Sequence, residues 1–352
     1  MGVEKKIDEI HDEIQSSYYI SQDDVEVGEE TYNYAILGCL LGYVTRYNVL
    51  LTGNPGWGKT TVPEGLGAMV NGIPPKVSTH CKLNGHPFQT EEKIKGRPDL
   101  AKLNIGEKGE TQWANAVNLG SFGHVLVDEI NGLHEGQQVM VLEMIDRGVI
   151  DYLDDIYFYE EKPPFFATQN YTDEEGSSPL AHRLTDRFDI SLEVVPPVNE
   201  YLFLMDGSKD KKKKFDNPKL EKEFLTNIKK MNSPEDEYAK EIYENIIPKY
   251  KTYLEEQGIP VLYEEDLRKV REGNIPIDEE AMFMFYFLDS GVNSHIRVPD
   301  EYETEHYEDT PFGKIENNLS HRFAEKTPEI AKAIAVLSGK DKVDVEAMET
   351  AL

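Results

Sequence analysis

The stretch "NVLLTGNPGWGKTT", residues 48–61, constrains the chain more than any other. A short apolar run passes directly into Gly53, Gly56 and Gly58, then Lys59 and two threonines, which are poor material for a core. Gly53, Gly58, Lys59 and Thr60 satisfy G-x-x-x-x-G-K-[ST], with a β-type run before the motif and a helical pattern after it. The glycines permit a tight loop whose N–H groups turn inward toward phosphate oxygens, and the N-terminus of the next helix favours negative charge. In such a loop Lys59 reaches the β- and γ-phosphates and the Thr60 hydroxyl ligates Mg²⁺. The expected ligands are therefore ATP and Mg²⁺. The whole loop is a candidate for contact: Gly53, Asn54, Pro55, Gly56, Trp57, Gly58, Lys59, Thr60 and Thr61.

"GHVLVDEINGLHEGQQVMVLEMIDRG" (123–148) supplies a second half for such a site. Asp128 ends an apolar run, where its carboxylate can hold the cation, and Glu129 beside it can act as general base toward water. Alone, an Asp-Glu pair at a strand end is an ordinary solvated turn; the upstream loop gives it meaning. Val139, Leu142 and Ile145 are expected on the buried face of the following helix, with Gly148 as its stop.

In "PPFFATQNYTDEEGSSPLAHRLTDRFDI" (163–190), Asn170 follows another apolar run and is placed to orient water between the γ-phosphate and Glu129. Arg183 and Arg187 are four apart, on one face if the segment is helical. Either can stabilise transition-state charge on a neighbouring subunit's nucleotide. The plain alternative for each is a surface ion pair.

"GNPGWGKT", "VLVDEIN…Q…LEMID" and "FATQN…EEG…L…DRFD" together resemble the MoxR-type AAA+ ATPases, in that order and at suitable intervals. The resemblance covers residues 26–195 and extends more thinly through 261–282 and 320–348. It implies an α/β fold: the αβα parallel-sheet core of a P-loop NTPase (AAA+) with a smaller C-terminal helical lid. It also implies a ring, commonly a homo-hexamer, with ATP at subunit interfaces. By the same match Asn170 is the sensor 1 residue, Arg187 the arginine finger and Arg322 a sensor 2 candidate. Two β-hairpin inserts follow from it, near 99–113 and 148–160. The chain departs from the family where "GLHEG" follows "DEIN", where "SHR" stands for Ser-Pro-Arg, and in the additional Arg183.

The expected organisation is a core over 1–198, a linker or helical insert over 199–260, and a helical lid over 261–352. Residues 1–30 read as a helical lead-in and 31–44 as a buried helix. Five β-type runs follow, at 48–52, 76–82, 123–129, 163–168 and 189–195. Apolar on both sides and separated by helical stretches, they suit a parallel sheet covered on both faces. "KDKKKKFDNPK" (209–219) reads as solvated, and neither the 205–255 insert nor the acidic stretch 300–310 has a recognised counterpart. His80, His86, His124 and His134 lack metal-ligand spacing.

Composition narrows the classes further. With 39% hydrophobic and 29% charged residues the chain reads as an ordinary globular protein. No apolar run approaches the roughly 20 residues of a membrane helix, and the charged start "MGVEKKIDEIHDEIQ" lacks a signal core. Cys39 and Cys81 have no partner spacing, so a reducing cytoplasm is expected. The net charge of −29 opposes non-specific nucleic-acid binding, which depends on lysine and arginine displacing counterions. A motor that remodels a protein partner is therefore the leading expectation. By resemblance that partner often carries a von Willebrand factor A-like domain. A nucleic-acid motor (a helicase or translocase subunit) is the alternative, and a P-loop kinase or switch the third reading.

Overall fold

The computed structural model describes residues 2–17, 24–27, 30–99, 111–153, 155–171, 180–194, 213–273, 275–285 and 321–352, without the side chains of 182 and 321–324. Two compact units divide the chain. The first comprises Met1–Val25 with Tyr32–Leu267, the second Glu26–Thr31 with Arg268–Leu352.

The first unit begins with helix α1 (Val3–Ser17), whose Ile7, Ile10 and Ile14 recur at helical spacing and are wholly buried. Strands β1 (Asp24–Val27) and β2 (Glu30–Asn33) follow, so a strand stands where the lead-in was expected to stay helical. Helix α2 (Tyr34–Thr45) is apolar almost all round and is buried accordingly. Asn33 caps it, its Oδ1 accepting from the Ala35 and Ile36 N–H groups, while its own N–H donates to His11 Nε2 at 2.8 Å.

Strand β3 (Val49–Thr52) leads through the glycine loop to helix α3 (Thr61–Asn71). Residues 76–82, expected as a strand, are not one. Pro75 opens helix α4 (Pro75–Cys81), which buries Val77, Ser78 and Cys81. The proline fixes φ for a first helical turn and lacks only an N–H that the turn would leave unpaired. The strand is the short β4 (Leu83–Asn84) immediately beyond. Helix α5 (Glu91–Ile94) and strand β5 (Gly96–Pro98) come next, and β5 pairs antiparallel with β6 (Thr111–Trp113). Helix α6 (Asn115–Gly120) precedes β7 (Val125–Asp128), and helix α7 (Glu135–Arg147) precedes an antiparallel ladder of β8 (Val149–Tyr152) with β9 (Asp155–Phe158). Strand β10 (Phe165–Gln169), the single-turn helix α8 (His182–Thr185) and β11 (Ile190–Glu193) complete the core.

The main sheet has the order β11-β3-β10-β7-β4. All its ladders are parallel, with Phe166 opposite Val49, Leu126 opposite Phe166, and Asn84 opposite Asp128. Parallel strands buried on both faces need continuous apolar runs, and VLLT, VLVD and FFATQ supply them. Helix α7 turns a slightly different face inward than expected. Gln138, Val141, Met144 and Ile145 are buried, whereas Val139 is 45% exposed. Gln138 can face the interior because its Nε2 donates to the Leu133 carbonyl and its Oε1 accepts from the Ala181 N–H. Gly148 does end the helix, in the left-handed region at φ 63°.

From residue 213 the chain continues as part of the same unit. Phe215, at the end of the lysine run, is buried rather than solvated. Helix Pro218–Ile228 and the helical stretch 237–256 contribute Phe224, Ile228, Ala239, Ile242 and Ile246 to the main core. Asn118 Nδ2 on α6 donates to the Ile228 and Met231 carbonyls, and Lys251 Nζ donates to Val70 O at the C-terminal end of α3. Within the second unit, helix His321–Leu337 packs on helix Val345–Ala351 through Ile330, Ile334, Ala347 and Met348, all buried. The stretches 199–212 and 300–310 lie outside the described residues. Among the described residues no helix is long and apolar enough to cross a membrane.

Candidate nucleotide site

The glycine loop, the Asp128–Glu129 pair and Asn170 stand at the C-terminal ends of β3, β7 and β10, where open α/β sheets place ligands. The loop between β3 and α3 turns through Gly56 and Gly58, at φ 83° and 87°, a region that costs glycine nothing. A Cβ on either residue would meet no atom within 4 Å, so the loop is open there rather than packed. Gly53 is small for another reason: a Cβ there would lie 2.5 Å from the Val194 carbonyl oxygen.

Lys59 is only 7% exposed and folds back into the loop. Its ammonium donates to Gly53 O at 2.5 Å, Asn54 O at 2.8 Å and Asn170 Oδ1 at 2.9 Å. Thr60 stands at the N-cap of α3 without capping it; its hydroxyl donates instead to Asp128 Oδ1 at 3.0 Å. The Thr168 hydroxyl donates to the same oxygen at 2.7 Å, and Lys82 Nζ meets Oδ2 at 2.5 Å. Burial pushes the Asp128 pKa up. The hydrogen bonds from Lys82 and Thr168, the Lys82 charge and the Thr60 hydroxyl outweigh it, holding the carboxyl below its usual range. A hydroxyl beside an ionised carboxylate is a hard-oxygen pair that fits Mg²⁺ sharing its shell with phosphate and water. The described residues hold no group of three or more His, Cys, Asp or Glu that could bind a metal unaided.

Glu129 follows at φ 54°, a left-handed conformation uncommon for a side-chain residue and one that turns it away from the strand direction. Its N–H donates to Thr168 Oγ1, so one threonine fixes both members of the acidic pair. Gly85 lies against this turn, and a Cβ there would fall 1.8 Å from the Glu129 carbonyl oxygen. Asn170 joins the two halves of the site: its Oδ1 accepts from Lys59 and its Nδ2 donates to Glu129 Oε1 at 3.3 Å. Asn131 Nδ2 donates to the Asn170 carbonyl at 3.1 Å, and the Asn170 N–H returns to Asn131 Oδ1 at 3.4 Å. Lys59, Thr60, Asp128, Glu129 and Asn170 thus form one hydrogen-bonded constellation.

Arg183 and Arg187 do not join it. Helix α8 ends at Thr185, so Arg187 lies in the turn beyond it and the two arginines do not share a helix. Arg187 Nε lies 3.1 Å from Asp146 Oδ1 on α7, and Arg183 is exposed. Arg322 lies in helix His321–Leu337, but its side chain is outside those described. Trp57 meets Tyr171 edge to face at 6.4 Å between ring centroids. Lys82, Thr168, Asn131 and Gly85 escape a reading of the sequence, because only the pairing of β4, β7 and β10 brings them to the site. His134 proves to be the N-cap of α7, and His124 is fully buried with its Nε2 3.1 Å from Ser78 Oγ.

The family model for the AAA domain (dynein-related subfamily) matches residues 48–188. No curated protein matches the sequence. Among solved structures, a candidate ATPase from Cytophaga hutchinsonii is similar with a TM-score of 0.62 at 17% identity, covering 99% of this chain and 84% of that one. At that identity the likeness speaks for the fold alone. A full-length MCM homolog from Methanopyrus kandleri gives a TM-score of 0.46 at 15% identity, over 90% of this chain and 52% of that one. The five-stranded parallel sheet with its flanking helices fits the P-loop AAA+ α/β fold, and further helices follow at the C-terminal end of the chain.

Proposed function

We propose that this chain is a Mg²⁺-dependent ATPase of the MoxR-like kind, working in the cytoplasm as a ring that remodels or matures a protein partner. The observation that carries this reading is the convergence of Lys59, Thr60, Asp128, Glu129 and Asn170 at adjacent strand ends. In it the loop N–H groups and Lys59 bind the triphosphate. Lys59 exchanges its contacts with Gly53 and Asn54 for phosphate oxygens, while Asn170 remains at hand to hold it. Thr60 and Asp128 hold the cation, which when bound neutralises charge on the β- and γ-phosphate oxygens. Glu129 takes the proton of the attacking water, and Asn170, by donating to its Oε1, fixes the direction in which the carboxylate faces.

Arg187 is the proposed finger. Because it pairs with Asp146 of its own subunit, it must exchange that partner for the neighbour's γ-phosphate when the ring closes. A heterologous interface that closes on itself makes such a ring, and a hexamer is proposed. The net charge of −29 favours a protein partner over a nucleic acid; a von Willebrand factor A-like domain on that partner is proposed from the family resemblance alone.

Light scattering at micromolar protein, with and without ATP, combined with ATP turnover in the presence of single- and double-stranded DNA, tests this reading. A ring in ATP and turnover indifferent to DNA are expected. A monomer under all conditions contradicts the motor, and strong stimulation by DNA turns the reading to a nucleic-acid translocase.

A further inference from the structure

Lys82 touches the proposed cation-holding carboxylate, and the nucleotide chemistry assigns it no part. It occupies the single position between α4 and β4, in extended backbone at φ −59° and ψ 148°, with its N–H donating to the Ser78 carbonyl at 2.9 Å. From there its ammonium reaches Asp128 Oδ2 at 2.5 Å, with the two side chains only 18% and 20% exposed. The other carboxylate oxygen, Oδ1, receives the Thr60 and Thr168 hydroxyls. Three donors therefore reach the Asp128 carboxylate before any ligand arrives, and one of them carries a full positive charge.

We propose that Lys82 is a positioning residue of the nucleotide site, its ammonium neutralising Asp128 from the Oδ2 side so that a divalent cation is held only together with a triphosphate. The proposal rests on the reading of Thr60 and Asp128 as the cation-holding pair. A cation approaching the Thr60–Asp128 edge meets a carboxylate whose charge is already offset, together with the repulsion of the ammonium behind it. The phosphates of a nucleotide supply the negative charge that the pair withholds. Lys82 also fixes the rotation of the carboxylate, leaving Oδ1 on the side of the Thr60 hydroxyl. The cost is that the ion pair must be kept half-buried, which its short contact and the two threonine hydrogen bonds offset.

The test is Mn²⁺ binding without nucleotide, read from the electron paramagnetic resonance signal of the free ion, so that no turnover enters. Lys82→Gln removes the charge while its amide can still donate to Oδ2; Lys82→Met removes both; Lys82→Arg keeps the charge. Both neutral variants are expected to bind Mn²⁺ about tenfold tighter than the parent or better, a step that one unit of nearby charge can supply. Lys82→Arg should stay as weak as the parent. The Lys82→Gln/Asp128→Asn double variant should lose the gain. Thermal unfolding confirms that each variant is folded before its affinity is read, and Lys82→Gln remains a test if Lys82→Met fails to fold. Neutral variants that bind no tighter than the parent, or a gain that survives in the double variant, overturn the proposal. If Asp128→Asn alone binds Mn²⁺ with ATP as well as the parent does, the assignment of the cation pair itself fails, whatever Lys82 does.

Discussion

Glu129→Gln is expected to bind ATP and Mg²⁺ as the parent does and to turn over more slowly by about 10²–10⁴-fold, the usual contribution of a general base. The substitution suits the geometry. Glutamine has the size of glutamate, so the φ of 54° and the N–H bond to Thr168 make no new demand on it. Its amide oxygen can still accept from Asn170 Nδ2, as Glu129 Oε1 does at 3.3 Å. What it cannot do is take a proton from water. Single-turnover measurement of phosphate release, beside equilibrium binding of ATP, separates the two effects. A variant with parental turnover would move the base to another residue.

Arg187→Ala carries the second large effect. As a finger acting across an interface, its loss leaves ATP binding nearly intact and slows hydrolysis by about 10³-fold or more. The ion pair with Asp146 is a bland alternative, since a pair about a third exposed on each side contributes little to stability. Mixing distinguishes the two. Arg187→Ala subunits keep Glu129, and Glu129→Gln subunits keep Arg187, so an equal mixture restores complete sites at about one interface in four of a randomly assembled ring. Turnover should return to roughly that fraction of the parent's. If mixed rings form and no turnover returns, Arg187 is not the trans finger, and Arg183, exposed on α8, is next to be mutated.

The readable parts of this chain share a cause: their signals are local. The glycines of the loop, the apolar runs ending in Asp128 and before Asn170, and Gly148 after α7 each state their conformation within a few residues. The parallel sheet follows from those runs, and the order of its strands sets the site at their ends. Local signals fail where two conformations suit the same letters. "KVSTHCK" alternates well enough for a strand, but Pro75 opens a helix whose Val77 and Cys81 face one side. Val139 misled because α7 buries a glutamine, which becomes acceptable only once Leu133 and Ala181 are near enough to pair with it. The buried face of the segment after residue 212, Phe224 with Ile228 and Ile242, has meaning only against the core that receives it. For the same reason Lys82 and Asn131 were invisible. Lys82 reaches Asp128 across 46 residues of sequence and Asn131 meets Asn170 across 39, through pairings that a single strand does not announce.

The central claim is that the Gly53–Thr61 loop holds the phosphates of a nucleotide through Lys59, and calorimetric titration of ATP with Mg²⁺ into the parent and Lys59→Ala tests it most directly. The ammonium now shared among Gly53, Asn54 and Asn170 is the main side-chain counterion available to the phosphates. Saturable binding to the parent is expected, with affinity falling about 100-fold or more in the variant, as the loss of a charged hydrogen bond of about 3 kcal/mol requires. Equal affinity in the two proteins, with Lys59→Ala folded by thermal unfolding, would contradict the account.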